Sequence, residues 1–587
     1  MLYPQENNYR KFKDLSGIWK FCKDTDNIGK KTGWFSKQPK DVRPIAVPAS
    51  WNEQYEDLKN YMGTGWYFNR AFIPEDWHGK TVRIRFGCAN YMANVWINGK
   101  FCGSHEGGHL PFEFNITGKI EFGKTNLIAV SVNMTLGKDT SPAGFSLDPG
   151  ESNVIFEESF PQILTDYFPY GGLQRRVWLL CTTRKYIEDI TIITKINNKK
   201  AIVSYRVKIT GNFNGNAIVS LGMGKNRLLQ ESNSINGIIK GNLQVSNPKL
   251  WSCKNPNLYN FSIKSTDNNQ IDKYTLPVGI RTISIKGNKI LLNNQPIFLN
   301  GFGKHEDNEI TGRNVPDAVM IKDFALLKWI GANSIRTTHY PHAEEILYMA
   351  DKQGILIIDE IQATNLTPVS FKNPGVLKKC QRMLEELINR DKNHPSVIMW
   401  CVANEPDTRS KSAGPFLKKL LDSAKLLDHT RPATYASCIT TGFNEFAGKD
   451  VCRDQLDIIC LNRYFGWYSQ PGQLDRAMEC LSTDLDRIYK KHRKPIMLTE
   501  FGADAINGMH SEPPELFTEE YQAEFIRKYH EVIKSKPYIV GGHVWTFSDF
   551  KTSQIFCRVM NNRKGVFTRT REPKMSARIL KEIWRKP

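Results

Sequence analysis

Two glutamates stand where carboxylate chemistry could be done. Asn404-Glu405-Pro406 follows the apolar run SVIMWCVA, and Glu500 follows IMLT. Two carboxylates projecting from the C-terminal ends of barrel strands can cleave a glycosidic bond. One gives a proton to the leaving oxygen and the other attacks the anomeric carbon. Partial burial and a like charge nearby raise the donor's pKa and keep it protonated near neutral pH. Read singly, either glutamate is equally well a barrel-mouth carboxylate paired with Arg or Lys. A third motif, His105-Glu106-Gly107-Gly108-His109, has the H-E-x-x-H zinc spacing. That spacing holds metal only on a helix, where both histidines share a face. Two internal glycines, flanking strand patterns and Pro111 argue for a loop, so no metal is expected. No G-x-S-x-G elbow, phosphate loop or dinucleotide fingerprint is present.

The elements that must position these residues change along the chain. Residues 1–180 read as strands. RIRFGCANYMANVWINGKFCG alternates and turns at Asn98-Gly99, and NLIAVSVNM follows as another strand. This predicts an antiparallel jelly-roll β-sandwich. Residues 181–285 carry short strands such as YIEDITIITKI, AIVSYRVKI, AIVSLGM and LYNFSIKST, which predict an immunoglobulin-like β-sandwich. From 286 to 587, eight short apolar runs alternate with helical patterns such as VLKKCQRMLEELINRD. That grammar predicts a C-terminal (β/α)8 TIM barrel, whose chemistry sits where the strands end. Polar or aromatic residues end several of these runs: His305, His339, Glu360, Glu405, Asn462, Tyr464, Glu500 and Trp545.

Composition excludes some classes. The 587 residues are 40% hydrophobic and 11% aromatic, which fits a folded chain of three or four domains. No apolar stretch is long enough to span a membrane. The net charge of +20 leaves polyanions open as partners. The last 37 residues hold 11 Lys/Arg against 2 Asp/Glu, and the simplest reading is a solvated basic face on a final helix. No nucleic-acid reading motif accompanies that charge. The 12 cysteines are scattered without C-x-x-C pairs and read as reduced thiols. MLYPQENNYRKF has no apolar signal core, so a cytoplasmic location is expected.

Taken together, the motifs resemble those of family 2 glycoside hydrolases, and among them the β-glucuronidases. The resemblance runs from KFKDLSGIWKF through GTGWYFNRAFIP and HEGGHLPFEFNIT to the barrel motifs LNGFGKHED, RTTHYPHAEE, RDKNHPSVIMWCVANEPDT, LNRYFGWY, LTEFG and VWTFSDF. It implies retaining hydrolysis of β-glucuronides through a covalent glycosyl-enzyme, without cofactor, in a homo-oligomer (tetramer or dimer). Glu405 would be acid/base and Glu500 nucleophile. Asn404 would bond the sugar 2-hydroxyl and Tyr464 would orient the nucleophile. His339, Asn462, Tyr468, Trp545 and Asp166 would contact the sugar, with His305 a candidate for the same wall. NRKG matches the uronate motif, so Asn562 and Lys564 would bind the C6 carboxylate with charge-assisted bonds, joined by Arg558.

The chain also departs from relatives. IQATNLTPVSFKNPG is short where some bacterial relatives carry a long loop, which predicts an open site. Phe501 and Thr546 replace a Tyr and an Asn common in relatives. Three readings compete with the glucuronidase. A β-galactosidase or other family 2 exo-glycosidase gives the uronate motif no role. A non-catalytic carbohydrate-binding protein would be expected to lack one of the two glutamates. A nucleic-acid surface on the basic tail has no reading motif.

Overall fold

The computed structural model describes residues 1–144, 159–442 and 447–585. Antiparallel strands build the first unit as two packed sheets. One runs Arg43–Val47, Gly17–Asp24, Thr64–Ile73, Lys124–Asn133, Met92–Ile97, Lys100–Glu106. The other runs Lys11–Asp14, Val177–Thr182, Thr81–Phe86, Phe112–Asn115. Trp19, Phe21, Trp51, Ile84 and Val130 meet between them. His105 and Glu106 lie in a strand, so the helix that the zinc spacing needs is replaced by sheet.

A second pair of antiparallel sheets spans Ile187–Asn197 to Gln270–Val278, with three and four strands. Its alternation is clean. In Lys200–Ile209, Ala201, Val203, Tyr205, Val207 and Ile209 are buried and enter the core.

Eight parallel strands then close a barrel. They are β1 Leu299–Lys304, β2 Ser334–Thr337, β3 Leu356–Glu360, β4 Val397–Asn404, β5 Ala433–Ser437, β6 Ile459–Asn462, β7 Ile496–Glu500 and β8 Ile539–Val544. Each contains part of one of the eight apolar runs. Strands buried on both faces read as continuous apolar stretches, and every residue of VIMWCVAN in β4 is buried. Their side chains sort by parity. Leu356, Ile358, Met399, Cys401, Cys460 and Met497 fill the barrel interior. Ile357, Trp400, Val402, Leu461 and Leu498 pack outward on the helices. The antiparallel segment Ile283–Lys286, Lys289–Leu292, Gln295–Ile297 sends Ile290 and Leu292 into the interior cluster and closes the barrel's N-terminal end.

The outer ring is α1 Asp317–Ile330, α2 Glu344–Gln353, α3 Pro374–Asp391, α4 Ala413–Leu427, α5 Leu474–His492, α6 Glu519–Ser535 and α7 Met575–Arg585. Gly331 (φ 88°) and Gly354 (φ 73°) end α1 and α2 in the left-handed region that glycine tolerates. Asn373 caps α3 by accepting from the Gly375 amide at 2.9 Å. Among the described residues, only a 3-10 turn at Arg453–Gln455 lies between β5 and β6.

The basic C-terminal stretch differs from its reading as a solvated face. Lys551, Arg558, Lys564, Arg569, Arg571 and Lys574 pair with Glu53, Asp166, Asp504, Asp307, Asp323 and Asp549 respectively. The excess charge is local in sequence only, because its acidic partners come from distant segments. All twelve cysteines are free thiols.

Candidate active site

The barrel's C-terminal mouth opens into a cavity of about 490 Å³. Inward parity carries polar side chains to its floor. Leu356 and Ile358 of β3 point inside, and Glu360 is next in phase. Arg336 in β2 and Asn462 in β6 are likewise buried. The strand pairings become irregular where β4 meets β5, between Cys401 and Asn404, and where β6 meets β7, between Leu461 and Asn462. Such irregularities re-aim side chains at barrel rims. Asn404, Glu405 and Glu500 all line the cavity there. Glu405 takes a left-handed backbone (φ 47°), unusual for a residue with a side chain, and its amide donates to Ala436 O at 2.8 Å.

One network joins the two carboxyls. Asn462 Nδ2 donates to Glu405 Oε1 at 2.8 Å and to Asn404 Oδ1 at 3.2 Å. Thr499 Oγ1 donates to Asn462 Oδ1 at 2.8 Å and so fixes its amide. Arg336 NH2 donates to Asn404 Oδ1 at 3.0 Å and to Glu500 Oε1 at 2.6 Å. Tyr464 OH donates to Glu500 Oε2 at 2.6 Å. Behind them, Glu360 pairs with Arg336 Nε at 3.0 Å and with His339 Nδ1 at 2.9 Å.

The electrostatics follow from burial. Burial raises Glu405, with the Asn462 amide opposing. Burial lifts Glu500 to about 8, with Arg336 opposing and Glu405 adding to the rise. The pair therefore retains a proton across the neutral range. Burial would raise Glu360 too, but Arg336 and His339 outweigh it and hold Glu360 below its usual value. Desolvation lowers His339 and His305, so both are neutral rings.

The aromatic wall forms on one side. Trp545 stacks on His339, with ring centroids 5.0 Å apart and planes 18° from parallel. His305 lies edge-on to Trp545 and meets the Tyr340 hydroxyl at 3.0 Å. All three line the cavity or its floor with Tyr167 from the first unit.

A second polar group also lines the cavity. Arg558 donates Nε and NH2 to the two oxygens of Asp166 at 2.9 and 2.7 Å, and NH2 also donates to Tyr468 OH at 2.7 Å. Asn562 Nδ2 donates to Asp166 Oδ2 at 2.9 Å. Asp166, Tyr468 and Arg558 line the cavity; Asn562 and Lys564 are fully buried behind them. Lys564 Nζ forms an ion pair with Asp504 and lies 4.8 Å from the Tyr468 ring centroid. Burial would raise Asp504, but Lys564 and Arg558 outweigh it and hold it low.

Of the expected residues, the structure gathers Glu405, Glu500, Asn404, Tyr464, Asp166, His339, Asn462, Tyr468, Trp545, Arg558 and His305 around one cavity, and leaves Asn562 and Lys564 one layer back. Sequence reasoning did not single out Arg336 or Asp504, and it noted Glu360 only as a strand end. Arg336 opens the quoted motif RTTHYPHAEE, whereas Asp504 lies two residues past the end of LTEFG. The two departures fall outside the chemistry. Phe501 stacks on Tyr529 at 5.0 Å, and Thr546 Oγ1 donates to Gly303 O at 2.6 Å.

This barrel, with two antiparallel sandwiches before it and paired carboxyls at its mouth, defines a class. Residues 283–586 match the TIM barrel domain of glycosyl hydrolases family 2, 12–183 its sugar binding domain and 185–281 the family's remaining domain. The chain belongs to that family. It is 38% identical to a β-glucuronidase of Paenibacillus borealis, over all of this chain and 98% of that protein. It is 39% identical to a β-glucuronidase of Mus musculus, over all of this chain and 92% of that protein. A solved β-glucuronidase of Ruminococcus gnavus in complex with D-glucuronic acid superposes with a TM-score of 0.91 at 36% identity, covering 99% of both chains.

Proposed function

We propose that this chain is an exo-acting β-glucuronidase that hydrolyses β-D-glucuronides with retention. The observation that carries the reading is the cavity itself. It ends on a proton-holding carboxyl pair and is flanked by a cation-rich group, Arg558, Asn562 and Lys564. Glucuronidase relatives over the full chain, one solved with glucuronic acid, support the same substrate class.

The donors assign the roles. Glu500 receives a guanidinium and a phenol hydroxyl, which stabilise its anion, whereas Glu405 receives one neutral amide. The shared proton therefore rests on Glu405 and the charge on Glu500. In the first step a Glu500 oxygen attacks the anomeric carbon while the Glu405 proton passes to the glycosidic oxygen, and the aglycone leaves as an alcohol. In the second step Glu405, now ionised, takes a proton from water. The water oxygen displaces Glu500 from the same carbon. Asn404 is held by Arg336 and Asn462 and bonds the sugar 2-hydroxyl. His339 and Trp545 give the ring a platform, and Asn462 and Tyr468 complete the sugar contacts.

Arg558 meets the C6 carboxylate from the cavity wall, with Asn562 adding its amide and Lys564 a full charge from behind. In the free enzyme Asp166 accepts the same Arg558 and Asn562 donors that a uronate would use. The reading includes the units 1–180, 181–285 and 286–587, a dimer or tetramer, and a cytoplasmic setting that suits twelve free thiols. No helix among the described residues is long and apolar enough to cross a membrane.

A screen of chromogenic β-glucuronide, β-galacturonide and β-galactoside tests the reading. It expects turnover of the glucuronide well above the other two. Preference for the galactoside would overturn it.

A further inference from the structure

The segment proposed to meet the uronate has little secondary structure of its own. Asn561–Asn562 is a two-residue strand paired with Phe550–Lys551, and Arg563, Lys564 and Gly565 follow it as irregular chain. A charged side chain recognises a carboxylate selectively only when its backbone is held in place. Much of what holds this one comes from the start of α7, behind the cavity.

Lys574 immediately precedes α7 and is buried. Its Nζ donates to Ala505 O, Asp549 Oδ1 and Arg563 O, each at 2.8 Å. An ammonium has three protons, so all are used. The acceptors come from three places. Ala505 follows Asp504, the ion partner of Lys564; Asp549 lies after β8; Arg563 precedes Lys564. One buried cation therefore ties the backbone beside Asp504 to the backbone beside Lys564. Neighbouring bonds run the same way. Ala505 N donates to Arg563 O at 3.0 Å, Arg563 N to Asp504 Oδ1 at 2.7 Å and Gly565 N to Asp549 Oδ1 at 3.0 Å. Ser576, in the first turn of α7, donates Oγ to Gln522 Oε1 at 2.6 Å. Gln522 turns Nε2 toward Ala503 O at 2.9 Å and Lys564 O at 3.3 Å.

Lys574, Asp549, Ser576 and Gln522 are not among the residues that line the cavity. Their influence on a bound sugar must pass through Lys564. Without the ammonium, two carbonyl oxygens and a carboxylate would converge on one point with no proton to share. Buried acceptors in that arrangement repel, and no bulk water separates them. The corner would spread and Lys564 would shift relative to Asp504.

We infer that the start of α7 positions the uronate-binding segment: Lys574, held by Asp549, and Ser576, through Gln522, keep residues 562–564 in register with Asp504 from outside the cavity. The inference rests on the glucuronidase reading and extends it to residues that touch no substrate. It gives part of the basic C-terminal stretch a role in selectivity.

The test compares the wild-type chain with Lys574→Met, which keeps the side chain's length and removes its charge, on an aryl β-glucuronide and the matching β-glucoside. A displaced Lys564 weakens ground state and transition state alike, so glucuronide KM should rise while kcat is largely kept. The ratio of glucuronide to glucoside kcat/KM is expected to fall about tenfold, less than loss of the charged partner itself would cost. Inhibition by free D-glucuronate should weaken to a similar degree. Lys574→Met with Asp549→Asn, which removes the stranded carboxylate, is expected to regain melting temperature without regaining the ratio. Ser576→Ala removes a hydroxyl alone and should lower the ratio about threefold, the scale of one neutral hydrogen bond. Equal losses on both substrates, or a lowered melting temperature with an unmoved ratio, would make Lys574 a packing residue and overturn the inference. Should neither Lys574 variant fold, an unmoved ratio in Ser576→Ala overturns it. A wild-type chain with no preference for the glucuronide would instead overturn the reading beneath.

Discussion

The two ends of the sugar pocket are built differently. At the catalytic end Arg336, Glu360, Asn404, Asn462 and Glu500 all belong to barrel strands, and Glu405 is one residue beyond. Their hydrogen-bonded neighbours are fixed by the parallel ladder. At the end proposed to take the uronate, Asp166 comes from the first unit and Arg558, Asn562 and Lys564 from the segment after β8. There the geometry depends on ion pairs between distant segments. Chemistry that must not move sits on strands, while recognition is assembled from loops that can be exchanged without disturbing the barrel. The first end should fail by losing rate, and the second by losing selectivity.

The largest effect is expected at the strands. Glu405→Gln and Glu500→Gln should each reduce kcat by about 10²–10⁴-fold or more while the circular dichroism spectrum stays native. Glu405→Gln should be milder on an activated aryl glucuronide, which needs less protonation. A variant keeping more than about a tenth of wild-type activity would remove that glutamate from its role.

Lys564→Ala sharpens the contrast. Loss of one partner from a desolvated charged pair costs about 2–5 kcal/mol, or roughly 30- to several thousand-fold. Glucuronide kcat/KM should fall by that factor and slow β-glucoside hydrolysis by much less. The variant also strands Asp504, so its melting temperature should drop. Lys564→Met with Asp504→Asn should recover melting temperature without recovering glucuronide hydrolysis. Equal losses on both substrates would make Lys564 a structural residue only. Asn562→Ala should act in the same direction but less.

Glu360→Gln tests positioning at the rigid end. It touches neither carboxyl of the pair, yet it holds Arg336 and His339. Activity should fall about a hundredfold through misplacement. With the Glu360 charge gone, no other carboxylate shares Arg336 with Glu500. The pair then gives up its proton more readily, and the basic limb of the pH profile should move down. A loss of activity with an unmoved limb would assign Glu360 to packing.

The smallest effect is read from the wild-type profile. Glu500 is lifted to about 8 by burial, so the proton held by the pair is lost as pH rises through that region. Activity needs the proton, so kcat/KM should be maintained near neutrality and decline above about pH 8. A decline already complete at pH 6 would contradict the burial argument.

The same contrast decides what the sequence disclosed. Barrel strands announce themselves as apolar runs ending in polar residues, so Glu405, Glu500 and Asn462 could be placed at one mouth from pattern alone. Glu360 was also legible by parity, two residues after Ile358, had the inward phase been carried to the strand end. The ion pairs of the C-terminal stretch were not legible. Lys564 and Asp504 are 60 residues apart and Arg558 and Asp166 are 392 apart, and nothing local marks them as partners. A run of cations therefore read as a solvated face, although seven of them are paired. For the same reason the position of Lys564 behind Tyr468 was not legible. The irregular pairings that turn Glu500 and Asn404 inward also leave no sequence trace.

The account stands or falls on what the carboxyl pair does to the anomeric carbon. Two successive displacements by Glu500 and water return the starting configuration. Hydrolysis of an aryl β-D-glucuronide should be followed by proton NMR from the first minutes, before the released sugar mutarotates. The account predicts that the β-anomer of glucuronic acid appears first and the α-anomer grows in later. Initial release of the α-anomer would contradict the covalent role of Glu500.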